Sequence, residues 1–253
     1  MPDILLLEWN FEPADLFEQS TTARIGQYEF AIEWGRVQCQ ILVDVESDDY
    51  WLRQRTEAHQ RMVAILLAAQ TFSDQPCKLL KPAVSRIRES GGVDLYAFPL
   101  TGTVRVAGRR PDTVLKDADG IVVRDTKRER IDRRNDLARR AAAHITDLVA
   151  NSILRSYSAA RNDPDNELIH LYEIREALSS QFGGERAAQK ALNISSAKWR
   201  RLGSLANVEP LLQGRHRGGN PGALRDATAD ELEDARWIAR EMIESYLQSL
   251  KAP

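Results

Sequence analysis

The sequence predicts an α+β protein, with a curved N-terminal antiparallel sheet carrying one packed helix, followed by an all-α helical bundle. Three observations carry this reading. Residues 28–45 alternate with the period of two expected of a half-buried hairpin. Strand-like runs recur as far as Asp125, and no convincing one follows it. From Lys127 onward the apolar residues fall at helical spacing. A boundary at Asp125 is therefore expected, giving a β-rich domain over 1–125 and a helical bundle over 126–253.

The run from Ile4 to Trp9 is a short apolar stretch suited to a buried strand. Tyr28, Phe30, Ile32 and Trp34 share one face of a second strand. Gly35 breaks it, and Val37, Cys39, Ile41 and Val43 alternate along its partner. Asp48-Asp49 supplies an N-cap for a helix over about 50–72, with Leu52, Ala58, Met62, Ile65, Leu66 and Ala69 as the stripe buried against the sheet. Further strands are expected at Lys78 to Ile87, Val93 to Phe98 and Gly102 to Ala107. A hairpin joins 112–116 to 121–124 through Asp119-Gly120, a turn whose glycine tolerates positive φ.

In the second half, one helix is expected from about Lys127 to Ala160, spaced by Ile131, Leu137, Ala138, Ala141, Ile145, Leu148 and Ile153. Asp163-Pro164 starts the next, as cap and first turn, and Gly183-Gly184 ends it. A short helix spans Glu185 to Leu192. Another follows the Ser195-Ser196 cap and carries Trp199, Leu202 and Leu205. Thr228-Ala229-Asp230-Glu231 is a capping box that opens a last helix running to about Leu250.

Composition narrows the function classes. Apolar residues at 43% and charged residues at 28% are ordinary for a globular core. The longest apolar stretch, Met62 to Ala69, falls far short of the roughly 18 residues a membrane span needs. With no basic leader and two cysteines, Cys39 and Cys77, lacking CxxC spacing, a cytoplasmic location with reduced thiols is expected. His59, His144, His170 and His216 are scattered, so no metal site and no cofactor are expected. The five tryptophans read as packing residues. From Lys127 onward, 21 Lys+Arg face 18 Asp+Glu, whereas the first 126 residues carry 14 against 19. That asymmetry permits a polyanion partner for the second half.

The candidate functional loop spans 211–225. Its stretch Gly214 to Gly222 holds four glycines and a proline, with Arg215, His216 and Arg217 interleaved. Gly214, Gly218 and Gly219 would let backbone amides approach an anion, and Arg215 and Arg217 supply forks for phosphate. The other reading of the loop is structural: glycine turns join helices, and arginines satisfy carbonyls at helix ends. A second basic cluster, Arg124 to Arg140, holds eight basic residues against four acidic ones. Arg133-Arg134 and Arg139-Arg140 lie about two turns apart, so they could line a stripe that tracks a phosphate backbone. Ion pairs within the helix, Glu129–Arg133 and Asp136–Arg140, would make the same stripe a solvated face.

Arg139 and His144 also stand close in sequence. With the long helices, the segment Leu171 to Leu178 and the late Arg-His loop, the region 127–250 resembles HEPN-type all-α domains. That resemblance implies a metal-independent ribonuclease with an Arg and a His a few residues apart, and a homodimer built on the helical half. Under it, His144 or His216 would act as general base or acid on a ribose hydroxyl, with Arg139 stabilising phosphorane charge. Arg140 stands where that family favours a smaller polar residue, and Arg215-His216 are adjacent instead of spaced. Two functional readings result: an RNA-binding or ribonuclease module, or a non-enzymatic module that recognises a protein or ligand.

Overall fold

The computed structural model describes residues 3–43, 48–80, 83–87, 93–96, 112–116, 119, 121–215 and 224–251. The expected strand at Gly102 to Ala107, the turn residue Gly120, and His216, Arg217, Gly218 and Gly219 lie outside the described residues. The chain is α+β, an antiparallel sheet followed by helices, and it divides into two compact units. The first comprises 1–73 with 77–142, and the second comprises 74–76 with 143–253.

In the first unit, β1 (Asp3–Glu12) is the central strand of an antiparallel sheet. On one side it pairs with β4 (Arg36–Val43), then β3 (Tyr28–Glu33) and β2 (Thr21–Ile25). On the other it pairs with β6 (Ala83–Ile87), then β7 (Val93–Tyr96), while β5 (Lys78–Leu79) continues beside its end. The stretch expected as one strand from Lys78 to Ile87 is thus two, Lys78–Leu79 and Ala83–Ile87. Register explains the core. Leu5, Leu7 and Trp9 face Ile41, Cys39 and Val37 across one ladder, and Phe30 and Ile32 face Cys39 and Val37 across the next. All eight are buried, because side chains of matched parity share one face. Trp34, expected on that face, sits in the turn after β3 and is 67% exposed.

α1 (Asp48–Gln70) buries Ala58, Met62, Ile65, Leu66 and Ala69 of the expected stripe; the side chain of Leu52 lies outside those described. The helix is tied to the sheet by the Trp9 indole N–H, which donates to His59 Nδ1 at 3.1 Å. After a hairpin of β8 (Val114–Lys116) and β9 (Val122–Asp125) comes α2 (Thr126–Ala143). This helix belongs to the first unit, so the division falls at Ala142 instead of the expected Asp125. The reason lies in polar anchors that the apolar spacing does not reveal. Arg134 donates to the Leu16 carbonyl at 2.7 Å, Asn135 to Thr21 Oγ1 at 3.2 Å, and Arg61 on α1 to the Ala142 carbonyl at 2.8 Å.

The second unit begins where the long helix expected over 127–160 is interrupted. Asp147 caps α3 (Leu148–Asn162), its carboxylate accepting from Ala150 N at 2.7 Å, and Asn151 Nδ2 holds the Ile145 carbonyl at 2.7 Å. Capping chemistry at 145–151 therefore overrides a continuous apolar spacing. A tight turn at Pro164–Asn166 leads into α4 (Glu167–Gln181). Gly183 and Gly184, at φ 74° and 132°, close α4 in backbone states that other residues rarely adopt. α5 (Glu185–Leu192), α6 (Ser196–Asn207) and α7 (Ala229–Ser249) follow as expected. The Thr228/Glu231 capping box that starts α7 is formed in both directions. Of the α7 face read as inward, Ala235, Ala239, Met242 and Tyr246 are buried and Leu232 and Leu250 are half-buried, while Trp237 is 44% exposed and does not pack in the core. No helix among the described residues is long and apolar enough to cross a membrane.

Candidate nucleic-acid interface

The glycine-rich loop is the first place to look for an anion site. Its described ends are occupied with holding helices together. Leu212 N donates to the Arg225 carbonyl at 2.9 Å and Arg225 N to the Pro210 carbonyl at 3.0 Å, which closes the base of the loop. Arg215 N donates to the Ala206 carbonyl at 2.8 Å and so satisfies one of the free acceptors at the end of α6. Gly214 is needed there, since a Cβ would stand 3.0 Å from the Ala206 carbonyl oxygen and 3.3 Å from that of Leu211. The Arg215 guanidinium donates to Glu176 Oε1 at 2.7 Å and lies 4.9 Å from the Tyr172 ring centre. Its charge is therefore matched on α4. Arg225 is matched likewise, with two hydrogen bonds of 2.7 Å to Glu231.

Of the two readings of the α2 basic cluster, the helix shows the ion pair Asp136–Arg140. Arg139 and Arg140 share one carboxylate, Asp136, at 2.6 and 2.7 Å. Burial alone would raise the pKa of Asp136, but hydrogen bonds from Arg140 and Arg139 hold it below the ordinary carboxylate range. Arg134 points inward, 2% exposed, with its guanidinium 5.4 Å from the Phe17 ring centre. Arg133 is exposed. These α2 residues belong to the first unit. His144 belongs to the second, half-buried in the turn before α3, and its imidazole makes no hydrogen bond among the described residues.

A different cationic surface emerges from α5 and α6, each of which packs on α4 in the second unit. α5 and α6 are joined by three residues only, Asn193, Ile194 and Ser195. Asn193 adopts the left-handed conformation, φ 54° and ψ 37°, which reverses the chain sharply at low cost for an asparagine. Ser195 then caps α6, its Oγ accepting from Lys198 N at 3.3 Å. Ala188 and Leu192 of α5, Ile194 of the turn, and Trp199 and Leu202 of α6 are all buried with Leu171, Ile174 and Leu178 of α4. Ser196 Oγ donates to Gln189 Oε1 at 2.7 Å and fixes α6 against α5. This is a helix–turn–helix seated on a supporting third helix.

The outward surface of this unit is basic and small. Residues 184–207 carry five Lys+Arg and one Asp+Glu. That one acid, Glu185, pairs with Arg175 of α4. Two of the cations are matched on the side facing α7. Lys198 bonds both oxygens of Glu241 at 2.7 Å, and Arg201 reaches Asp234 at 2.9 Å and Glu209 at 2.8 Å. The other three, Arg186, Lys190 and Arg200, are exposed and make no ion pair among the described residues. Beside Arg200 the first turn of α6 exposes only Ser195, Ser196 and Ala197, none of which keeps a partner at a distance. Arg200 is braced along the helix by its Nε, which donates to the Ser196 carbonyl at 3.2 Å.

The sequence reading missed this arrangement, although its signal was present. Both short helices and the Ser195 cap were expected. The spacing Ala188, Leu192, Ile194, Trp199, Leu202 around a turn residue that tolerates positive φ is the pattern that joins them. Among the described residues, no group of three or more His, Cys, Asp and Glu could hold a metal ion. Comparison of the chain with known protein families, with curated proteins and with solved structures gave no match in any of the three.

Proposed function

We propose that the second unit is a double-stranded DNA-binding module, with α6 entering the major groove and α5 lying across the backbone. The observation that carries this reading is the set of three unmatched cations, Arg186, Lys190 and Arg200, on the exposed side of a helix–turn–helix whose other side is fully buried. In such a unit the second helix meets base edges with its first residues, and the first helix contacts phosphates. Ser196 and Ala197 suit close approach to base edges, and Arg200 has the planar fork that pairs with guanine O6 and N7. Arg186 and Lys190 suit phosphates. The fit is to B-form DNA, because the deep and narrow major groove of duplex RNA does not admit a helix. The ribonuclease reading retains the Arg139/His144 spacing in the sequence, with Arg139 held by Asp136 and the His144 ring without a hydrogen bond. A homodimer would set two copies of α6 about 34 Å apart, one turn of DNA, and read a two-fold symmetric site.

The test is selection from a randomised duplex DNA pool with the full chain, followed by anisotropy titrations of the selected duplex, the same sequence as duplex RNA, and a single strand. Tighter binding to duplex DNA, abolished in Arg186→Ala/Lys190→Ala/Arg200→Ala, supports the reading. Absence of duplex DNA binding at about 50 mM salt, where phosphate contacts are strong, would overturn it. Equal affinity of the triple variant would do the same.

A further inference from the structure

Five large apolar side chains stand exposed together on the hairpin of β8 and β9. Val114, Leu115, Ile121, Val122 and Val123 are each between 50% and 69% exposed. Val114 and Leu115 are neighbours along a strand and point to opposite faces, so both faces of this small sheet are open. Among the described residues no third strand joins it. A two-stranded hairpin is marginal by itself and becomes stable when further strands or a helix cover it. Soluble monomers rarely expose more than a few hundred Å² of contiguous apolar surface, and this hairpin offers about 500 Å².

The hairpin is nonetheless held at its base. Thr113 N donates to Thr126 Oγ1 at 2.8 Å, and Thr126 N donates to the Thr113 carbonyl at 3.1 Å. Arg130 of α2 grips Asp112 at 2.6 and 3.2 Å, and Glu18 at 2.7 and 2.8 Å. Arg124 reaches Glu129 at 3.6 Å, and Asp125 accepts from Arg128 N at 3.0 Å. These charges are thus matched at the start of α2. The apolar stretches 114–115 and 121–123 carry none, so two copies can meet there without like-charge repulsion.

The two outer edges differ. The pairing steps from Leu115–Arg124 to Lys116–Val122, so Val123 has no counterpart and bulges β9, which turns that edge away from further pairing. β8 lacks any such device: neither a proline nor a charge stands at Val114 or Leu115. Such an edge is complementary to itself. Antiparallel strands related by a two-fold axis exchange backbone hydrogen bonds, and every molecule brings the same strand at the same concentration. A different protein would need an open apolar strand of its own. Two hairpins together carry about 1,000 Å² of exposed apolar surface, within reach of what specific association needs. We propose that the chain forms a two-fold homodimer through β8, as a four-stranded antiparallel sheet in the order β9–β8–β8–β9. Leu115 of one copy then lies opposite Leu115 of the other, across the axis. The contact belongs to the first unit and stands whether or not the second unit binds DNA.

The experiment is sedimentation velocity on the full chain, without DNA, from about 1 to 200 µM. A monomer–dimer equilibrium with a dissociation constant of about 1–100 µM is expected, since the interface is at the small end of the specific range. Leu115→Glu sets two carboxylates opposite each other and should weaken the dimer by about tenfold or more. Val114→Lys repeats the test at the neighbouring exposed position, and circular dichroism checks that each variant is folded. Leu148→Glu, at an exposed apolar position of the second unit, should leave the dimer unchanged. A wild-type chain that stays monomeric throughout overturns the proposal and assigns the hairpin to another segment or another protein. A dimer that both hairpin variants leave intact overturns it as well, and moves the contact elsewhere, as to the helical half.

Discussion

Arg236 on α7 holds the carboxylate of Glu167 on α4 through two hydrogen bonds, Nε to Oε1 at 2.5 Å and Nη2 to Oε2 at 2.7 Å. The Glu167 side chain is 2% exposed, and Arg161 approaches the same carboxylate at 3.3 Å. α4 is the helix on which α5 and α6 sit, so this clamp anchors the proposed DNA-reading unit to the rest of the bundle.

Removing Arg236 takes away both short hydrogen bonds to the buried Glu167 carboxylate and leaves it the single longer contact from Arg161. Arg236→Met is expected to lower the stability of the second unit by about 3 kcal/mol. Urea unfolding monitored by far-UV circular dichroism reads this directly. An unmoved midpoint would show that water solvates Glu167 and that the clamp contributes little.

His59 gives the first unit a pH dependence. Burial of the ring, with Arg55 nearby, pushes its pKa below the ordinary histidine value. Neutral Nδ1 accepts the Trp9 indole N–H, and a protonated Nδ1 could not. The unfolded chain begins to take up this proton near pH 6.5. The stability contributed by the neutral ring is therefore fully present above that pH and is lost as pH falls toward the folded-state value. Thermal unfolding from pH 8 down to about 5 should show a declining transition in the wild-type protein and a flatter one in His59→Phe. Parallel profiles would refute the assignment.

Each phosphate contact releases about 0.9 counterion from B-DNA. Arg186→Ala and Lys190→Ala should each reduce the slope of log affinity against log salt by about one, with little change in sequence preference. Arg200→Ala should instead relax the preference at one base pair and cost about 1–3 kcal/mol at that position. Salt titrations on selected and scrambled duplexes separate the two behaviours; a uniform loss in all three variants would place Arg200 on phosphate.

Gly214→Ala should destabilise the second unit by about 1 kcal/mol, because the new Cβ presses on backbone carbonyls of Ala206 and Leu211 that cannot swing aside. Thermal melting checks it. No change would mean that the turn relaxes by a few tenths of an ångström.

Local chemistry decided what could be read without coordinates. The alternation in Tyr28 to Ile32 and Val37 to Ile41, the Ser195 cap, the Thr228/Glu231 capping box and the Gly183-Gly184 stop are each written in a few adjacent residues, and each formed as expected. Their free energies arise between near neighbours, so sequence spacing is sufficient to find them. The break at Asp147 was also local, but a continuous apolar spacing masked it.

The state of each cation was settled only by the tertiary structure. Arg215 is matched by Glu176, 39 residues earlier, and Arg134 turns inward to Leu16, 118 residues away. Arg186, Lys190 and Arg200, unremarkable in the sequence, are among the exposed cations left without a carboxylate among the described residues, and they are the ones carried by α5 and α6. Coulomb energy depends on distance in space and on exclusion of water, and neither is encoded in the spacing along the chain. The sequence by itself determined the elements and their order; packing determined which charges remain available to a partner.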